Sequence, residues 1–139
     1  MAFRTQLKIR FSDEDHARVV YFPRFFHFFH VAFEDFFAAN GYPYRDVLEV
    51  DKCGWPAVRA EAEFERPLRF GDVLELDVWI ERVGTASALF LYRGTRPGEA
   101  GEVCRGKITV VCVDLDTFES RPIPEKYRAL FARFRTPPG

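Results

Sequence analysis

The sequence predicts an α+β fold in which a five-stranded antiparallel sheet packs against one long helix. Three observations predict it. The stretch Tyr21–Gly41 carries phenylalanines at helical spacing. One run of period-two alternation precedes that stretch and four follow it. The links between the later runs are short, which suits antiparallel neighbours.

The first run has Phe3, Thr5, Leu7, Ile9 and Phe11 alternating with Arg4, Gln6, Lys8 and Arg10, as in a half-buried strand. An acidic loop follows, Ser12-Asp13-Glu14-Asp15-His16. In the helical stretch, Phe22, Phe25, Phe26, Phe29, Ala32, Phe33, Phe36 and Phe37 share one broad face, flanked by Phe28 and Ala39. Arg24, His27, His30, Glu34 and Asp35 take the other. The apolar stripe is wider than a surface helix needs. Pro23 suits the first turn, where a missing N–H costs nothing, and Gly41 suits the left-handed position past the end. Tyr42–Gly54 reads as irregular. Val58, Ala60, Ala62 and Phe64 then alternate with Arg59, Glu61, Glu63 and Glu65. Arg66-Pro67 and Phe70-Gly71-Asp72 mark a break. Further strands are expected over Val73–Arg82, Ala86–Thr95 and Val103–Val113, with a hairpin loop over Arg96–Gly101. Tyr127, Leu130, Phe131 and Phe134 keep helical spacing in a short closing helix. No linker or repeat divides the chain, so residues 1–139 are expected to form one domain.

Composition narrows the function. The chain has 139 residues, a net charge of −1 and a pI near 6.3, with no basic excess for a phosphate backbone, so nucleic acid is not an expected partner. Sixteen phenylalanines offer more apolar surface than a small lone core absorbs, which predicts burial against copies of the same chain. Cys53, Cys104 and Cys112 have no C-x-x-C spacing and read as reduced, buried, cytoplasmic thiols. Neither a membrane span nor a signal peptide is expected. There is no G-x-S-x-G, no G-x-G-x-x-G and no P-loop. His27, His30 and Glu34 share a helix side, but H-x-x-H-x-x-x-E matches no metal motif, so no metal or cofactor is expected. A polar stripe accounts for those residues.

Asp13, Glu14 and Asp15 all suit the positive end of a helix dipole. Asp15 has a sharper reading. Free N–H groups at a helix start suit a developing oxyanion, and a carboxylate beside them can act as nucleophile or as base toward water.

F-S-D-E-D-H-A-R-V-V-Y-F-P-R-F-F resembles the acidic loop and helix start of the 4-hydroxybenzoyl-CoA thioesterase family of hotdog-fold proteins. F-E-R-P-L-R-F-G-D-V-L-E-L, residues 64–76, is similar to that family's F-x-x-P-x-R-x-G-D-x-L segment. The resemblance implies a sheet wrapped around one central helix. It implies two subunits paired through a continuous sheet, with the active site between them, and further pairing into tetramers. It makes Asp15 the catalytic carboxylate and the Phe22 amide the group that polarises the thioester carbonyl. Val19, Val20 and Tyr21 would shape the approach. The chain departs from the family pattern at Arg18, where a Gly is usual, which raises altered loop geometry or a cationic contact to substrate. The family's basic residues for CoA phosphates are replaced by Gly84-Thr85-Ala86-Ser87, leaving Arg59, Arg82, Arg93, Arg105 and Lys107 as candidates.

The expected activity is hydrolysis of an aromatic or medium-chain acyl-CoA. The many Phe residues, with Tyr21 and Trp55 near the expected pocket, favour a bulky acyl group, although most of these rings are expected to be core. Two other readings are an acyl-thioester hydratase and a non-enzymatic acyl-CoA binder. The first lacks the N-P-x-H continuation after Gly71-Asp72; the second would have no use for Asp15.

Overall fold

A computed structural model describes residues 1–139. Strand β1 (Phe3–Lys8) leads through a 3₁₀ turn (Phe11–Asp13) to helix α1 (Arg24–Ala39). A short helix α2 (Tyr44–Glu49) and strand β2 (Cys53–Gly54) follow. Strands β3 (Ala57–Phe64), β4 (Val73–Val83), β5 (Ser87–Thr95) and β6 (Cys104–Val111) come next, then β7 (Val113–Asp114) and helix α3 (Glu125–Ala132). The main sheet has the order β1-β4-β5-β6-β3 and every pairing is antiparallel. With α1 covered along its length by the inner sheet face, this is the hotdog fold.

The helix forms where the phenylalanine period dictated. Phe25, Phe28, Phe29, Ala32, Phe33, Phe36 and Phe37 are buried, while Phe26 is half-buried. Phe28, expected on the flank, is inside, and Phe22, expected on the core face, is exposed because it precedes the first helical turn. Gly41 has φ +90° and Asn40 donates from Nδ2 to the Phe36 carbonyl at 2.7 Å, which closes the helix end. Opposite the helix stand Leu74, Leu76, Val78 and Ile80 of β4 and Ala88, Phe90 and Tyr92 of β5. Gly106 of β6 lies directly under Phe29. A Cβ there would meet that ring at 2.5 Å, so no side chain fits without moving it.

Several elements differ from the sequence expectation. The first strand stops at Lys8, and Phe11 turns outward into the 3₁₀ turn. The segment after Gly41 holds α2 and β2, both too short to show a period. In β3 the register shifts between Ala57 and Arg59. This bulge takes Val58 out of the inward set and leaves it exposed. β3 is an edge strand and is almost wholly exposed on both faces.

Asp51 ties α3 to the entry of β2. Lys126 Nζ lies 2.7 Å from its Oδ2, the Tyr127 hydroxyl donates to the same oxygen, and Arg121 Nη1 donates to the Asp51 carbonyl at 3.1 Å. Burial alone would raise the Asp51 pKa, but the hydrogen bonds from Lys126 and Tyr127 outweigh it and hold the carboxyl below the usual range. A carboxyl with a depressed folded pKa contributes stability above its unfolded pKa and loses it as pH falls through the folded value. Urea midpoints should therefore drop below about pH 4 in the wild type, and drop less in Asp51→Asn, which starts lower at pH 7.

Candidate active site

The acidic loop is a small hairpin pinned at several points. The Tyr21 N–H donates to the Asp13 carbonyl at 3.0 Å, Glu14 bridges Val20, and the Asp15 N–H donates to Val19 at 3.0 Å. The Arg18 N–H donates to the Asp15 carbonyl at 3.0 Å, closing a tight turn at the tip. Two of the three acidic side chains hold this hairpin in place. Asp13 is 4% exposed. Its Oδ1 receives Arg24 Nη2 at 2.7 Å and its Oδ2 receives the Arg10 N–H at 2.9 Å. Arg24 is the first residue of α1, so this pair fixes the loop to the helix start. Glu14 Oε2 accepts the Phe70 N–H at 2.9 Å, and the Val20 N–H donates to Leu68 at 2.8 Å. These bonds fix the loop to the β3–β4 connection.

Asp15 is the acidic side chain left outward at the turn. It is exposed, and its Oδ1 accepts the Ala17 N–H at 2.8 Å, which orients the carboxylate. The hairpin sets Asp15 opposite Val19, three residues before Phe22 in the same loop. The Phe22 N–H is among the N–H groups of the helix-entry turn, where Arg24 donates to Tyr21 and Phe25 donates to Phe22. Such groups carry the partial positive charge of the helix start.

Arg18 has φ +64°. The chain thus keeps the left-handed conformation that a glycine favours, with an arginine in it. Its side chain is exposed at the hairpin tip. Arg18→Gly is expected to stabilise the fold by about 0.5–1 kcal/mol, the relief of the left-handed strain less the freedom a glycine gains when unfolded. A higher urea midpoint with an unchanged slope checks it.

Two separate cavities flank α1 and β3. The first, about 260 Å³, touches Val20, Phe22, Phe25, Phe64 and Leu68 at the helix start. The second, a furrow of about 410 Å³, is walled by Phe26, Phe33, Trp55, Ala60, Ile108 and Val110. Tyr92 also lines this furrow, and burial raises its phenol pKa, keeping it protonated. Val20 and Phe22 thus line the first cavity and Trp55 the furrow, while Tyr21 is exposed beside Phe22 with ring centroids 5.6 Å apart.

Arg59 is not brought to this furrow. It stands on the outer sheet face with Glu61, as the alternation of that run placed it, and its Nε donates to Glu61 at 2.9 Å. Of the other candidate phosphate contacts, Arg93 pairs with Asp77 at 3.6 Å and Arg105 pairs with Glu102. Arg82 and Lys107 share a shallow outer cleft with Arg59. On the helix, His30 Nε2 meets Glu34 at 2.8 Å, an (i, i+4) pair on the exposed side.

Sequence reasoning missed the anchoring roles of Asp13 and Glu14. Their partners, Arg24 and Phe70, are set by long-range folding and leave no local signal. It also missed Tyr92, whose strand alternation marks it as inward but not as lining a furrow.

Residues 9–131 match the thioesterase-like superfamily. The chain belongs to that superfamily. A thioesterase of this kind is a thioester hydrolase. Among curated relatives, a 1,4-dihydroxy-2-naphthoyl-CoA hydrolase from Synechococcus elongatus is 30% identical over 125 residues, spanning 89% of this chain and 90% of its own length. A crystal structure of a thioesterase superfamily protein from Jannaschia sp. CCS1 superposes with a TM-score of 0.89 at 26% identity, covering 98% of this chain and 94% of that one. A 1,4-dihydroxy-2-naphthoyl-CoA thioesterase from Synechocystis superposes with a TM-score of 0.87 at 23% identity, covering 99% of this chain and 100% of that one, and so shares the fold. No helix of this thioesterase is long and apolar enough to cross a membrane.

Proposed function

We propose that this thioesterase hydrolyses an aromatic acyl-CoA to the free acid and CoA, with Asp15 as its catalytic carboxylate. The observation that carries the reading is the division of labour in the acidic loop. Asp13 and Glu14 are consumed in anchoring it, and Asp15 remains outward and oriented in the hairpin opposite Val19. The thioester carbonyl oxygen accepts the Phe22 N–H, and the helix dipole favours the charge that develops there. Water activated by Asp15, or Asp15 itself, adds to the carbonyl carbon. The tetrahedral oxyanion collapses, the C–S bond breaks, and CoA leaves as a thiolate. A thiol pKa of about 8.5 makes that departure easy without a metal.

An aromatic acyl group is supported by the furrow, which is walled almost entirely by apolar side chains. The curated relative is named for a naphthoyl substrate, which such a furrow suits. Val20 and Tyr21 flank the reacting carbonyl, and Arg18 at the hairpin tip meets the CoA side. A medium-chain acyl group is the competing substrate.

The active unit is proposed to be a homodimer, with further pairing into a tetramer. The support is β3, an edge strand left almost wholly exposed. Pairing of two such edges would satisfy their free N–H and C=O groups and cover the furrow. The cytoplasm, where acyl-CoA thioesters are formed, is the proposed location. A thiol-reagent assay across acyl-CoAs tests the reaction. Release of free CoA from aroyl-CoA supports it; binding without release of CoA would leave only an acyl-CoA carrier.

A further inference from the structure

One hydroxyl in the furrow is left without a partner. Tyr92 sits near the middle of β5 on the inner sheet face and is 2% exposed. Its phenol makes no hydrogen bond to any group of the chain. A buried tyrosine hydroxyl usually finds a partner, and leaving one unpaired is costly. Two other buried polar atoms lack partners, Trp55 Nε1 and Arg93 Nε, and both are closed to water. The Tyr92 hydroxyl differs from them, because it remains open. Tyr92 lines the furrow, so the opening lies there. The surroundings agree on its direction. The ionisable neighbour whose charge Tyr92 senses is Tyr44. Tyr44 packs edge-on against His30 and Phe33 at 6.1 and 5.7 Å between centroids, and both of those line the furrow. The Tyr92 ring itself is held by Phe29, stacked at 4.9 Å between centroids and tilted by 25°.

We propose that Tyr92 is a specificity residue, whose free hydroxyl donates to an oxygen carried on the ring of an acyl group seated in the furrow. This rests on the aromatic acyl-CoA reading above. The rest of the lining explains why one hydroxyl counts. Phe26, Phe33, Ala60, Ile108 and Val110 offer only apolar surface. His30 is the other polar group there with an open side chain, and its Nε2 is engaged by Glu34 at 2.8 Å. Burial keeps the Tyr92 phenol protonated, so it stays a donor throughout the neutral range. An acyl group without an acceptor covers the hydroxyl and gives it nothing to meet, whereas one bearing an oxygen at that point satisfies it. The furrow thus selects by a bond waiting to be made as well as by shape.

The test uses the full chain, 2-naphthoyl-CoA and the set of its monohydroxylated isomers. Wild-type kcat/KM is expected to favour one isomer over the parent ester by roughly tenfold or more. Tyr92→Phe keeps the ring on Phe29 and removes only the hydroxyl, which has no bond within the chain to lose. It should bring that ratio near one. A ratio is unmoved by any uniform loss of active protein, so a merely structural role for the hydroxyl would leave it as it was. No favoured isomer in the wild type, or a preference that survives Tyr92→Phe and so belongs to another group, overturns the proposal. Thioesters cleaved without preference sink this inference and leave the thioesterase reading standing. If no thioester is cleaved, that reading falls, and calorimetry with the free naphthoic acids decides the present one alone. Tighter binding of one hydroxylated acid by the wild type, lost in Tyr92→Phe, supports it; equal binding of all the acids, or none, overturns it.

Discussion

Asp15→Asn is expected to lower kcat/KM for aroyl-CoA by about 10²–10⁴-fold, the usual contribution of a positioned acid–base group. Asparagine is the informative replacement. It keeps the side-chain oxygen that accepts the Ala17 N–H, so the hairpin retains its turn. It removes only the charge and the nucleophilic oxygen. Asp15 is exposed and takes no part in the anchoring bonds, so thermal stability should stay within about 0.5 kcal/mol of wild type. Loss of turnover with an unchanged melt assigns the residue to the chemistry. Full activity in Asp15→Asn would remove the mechanism while leaving the fold in place.

Arg24→Met should be the most damaging single change in the loop for stability, at about 3 kcal/mol or more. It strands the Asp13 carboxylate, 4% exposed, without its cation. Asp13→Asn should cost less, about 1–2 kcal/mol, because Arg24 is partly exposed and can be hydrated once released. The order of the two effects carries the argument: a buried charge left alone is worse than a half-exposed one. Both changes should also slow turnover, since the hairpin that holds Asp15 is pinned to α1 through this pair. Urea denaturation at pH 7 measures the order; equal losses, or the reverse, would mean that the pair does not anchor the loop.

The long helix and the sheet were legible because burial repeats. Phenylalanines every third or fourth residue define α1, and alternation defines β4 and β6 through their inward Leu76, Val78, Ile108 and Val110. What was not legible has physical causes. The β3 bulge interrupts alternation at one residue, so Val58 was grouped with the inward set. Arg59 was associated with the substrate only as a replacement for the family's missing phosphate contacts, which no local pattern could test. α2, β2 and β7 are held by tertiary contacts rather than by any period of their own. At the site, the helix-start argument favoured Asp15 and the resemblance sharpened it, but local sequence does not show that Asp13 and Glu14 are anchors. Their separation into two anchors and one free carboxylate depends on Arg24 and Phe70, residues far apart in the chain.

In the proposed acyl site, Gly106 would bear on substrate choice without touching any substrate. Phe29 rests on its bare backbone and stacks on Tyr92 at 4.9 Å between centroids, and Tyr92 in turn faces the furrow. The bore of that channel is therefore calibrated from beneath, by hydrogen where another residue would carry carbon. A single methyl introduced at this point would jack the ring stack upward and narrow the passage from below. Acyl preference in the proposed site would thus drift through a change hidden in the sheet, with every wall residue left as it was.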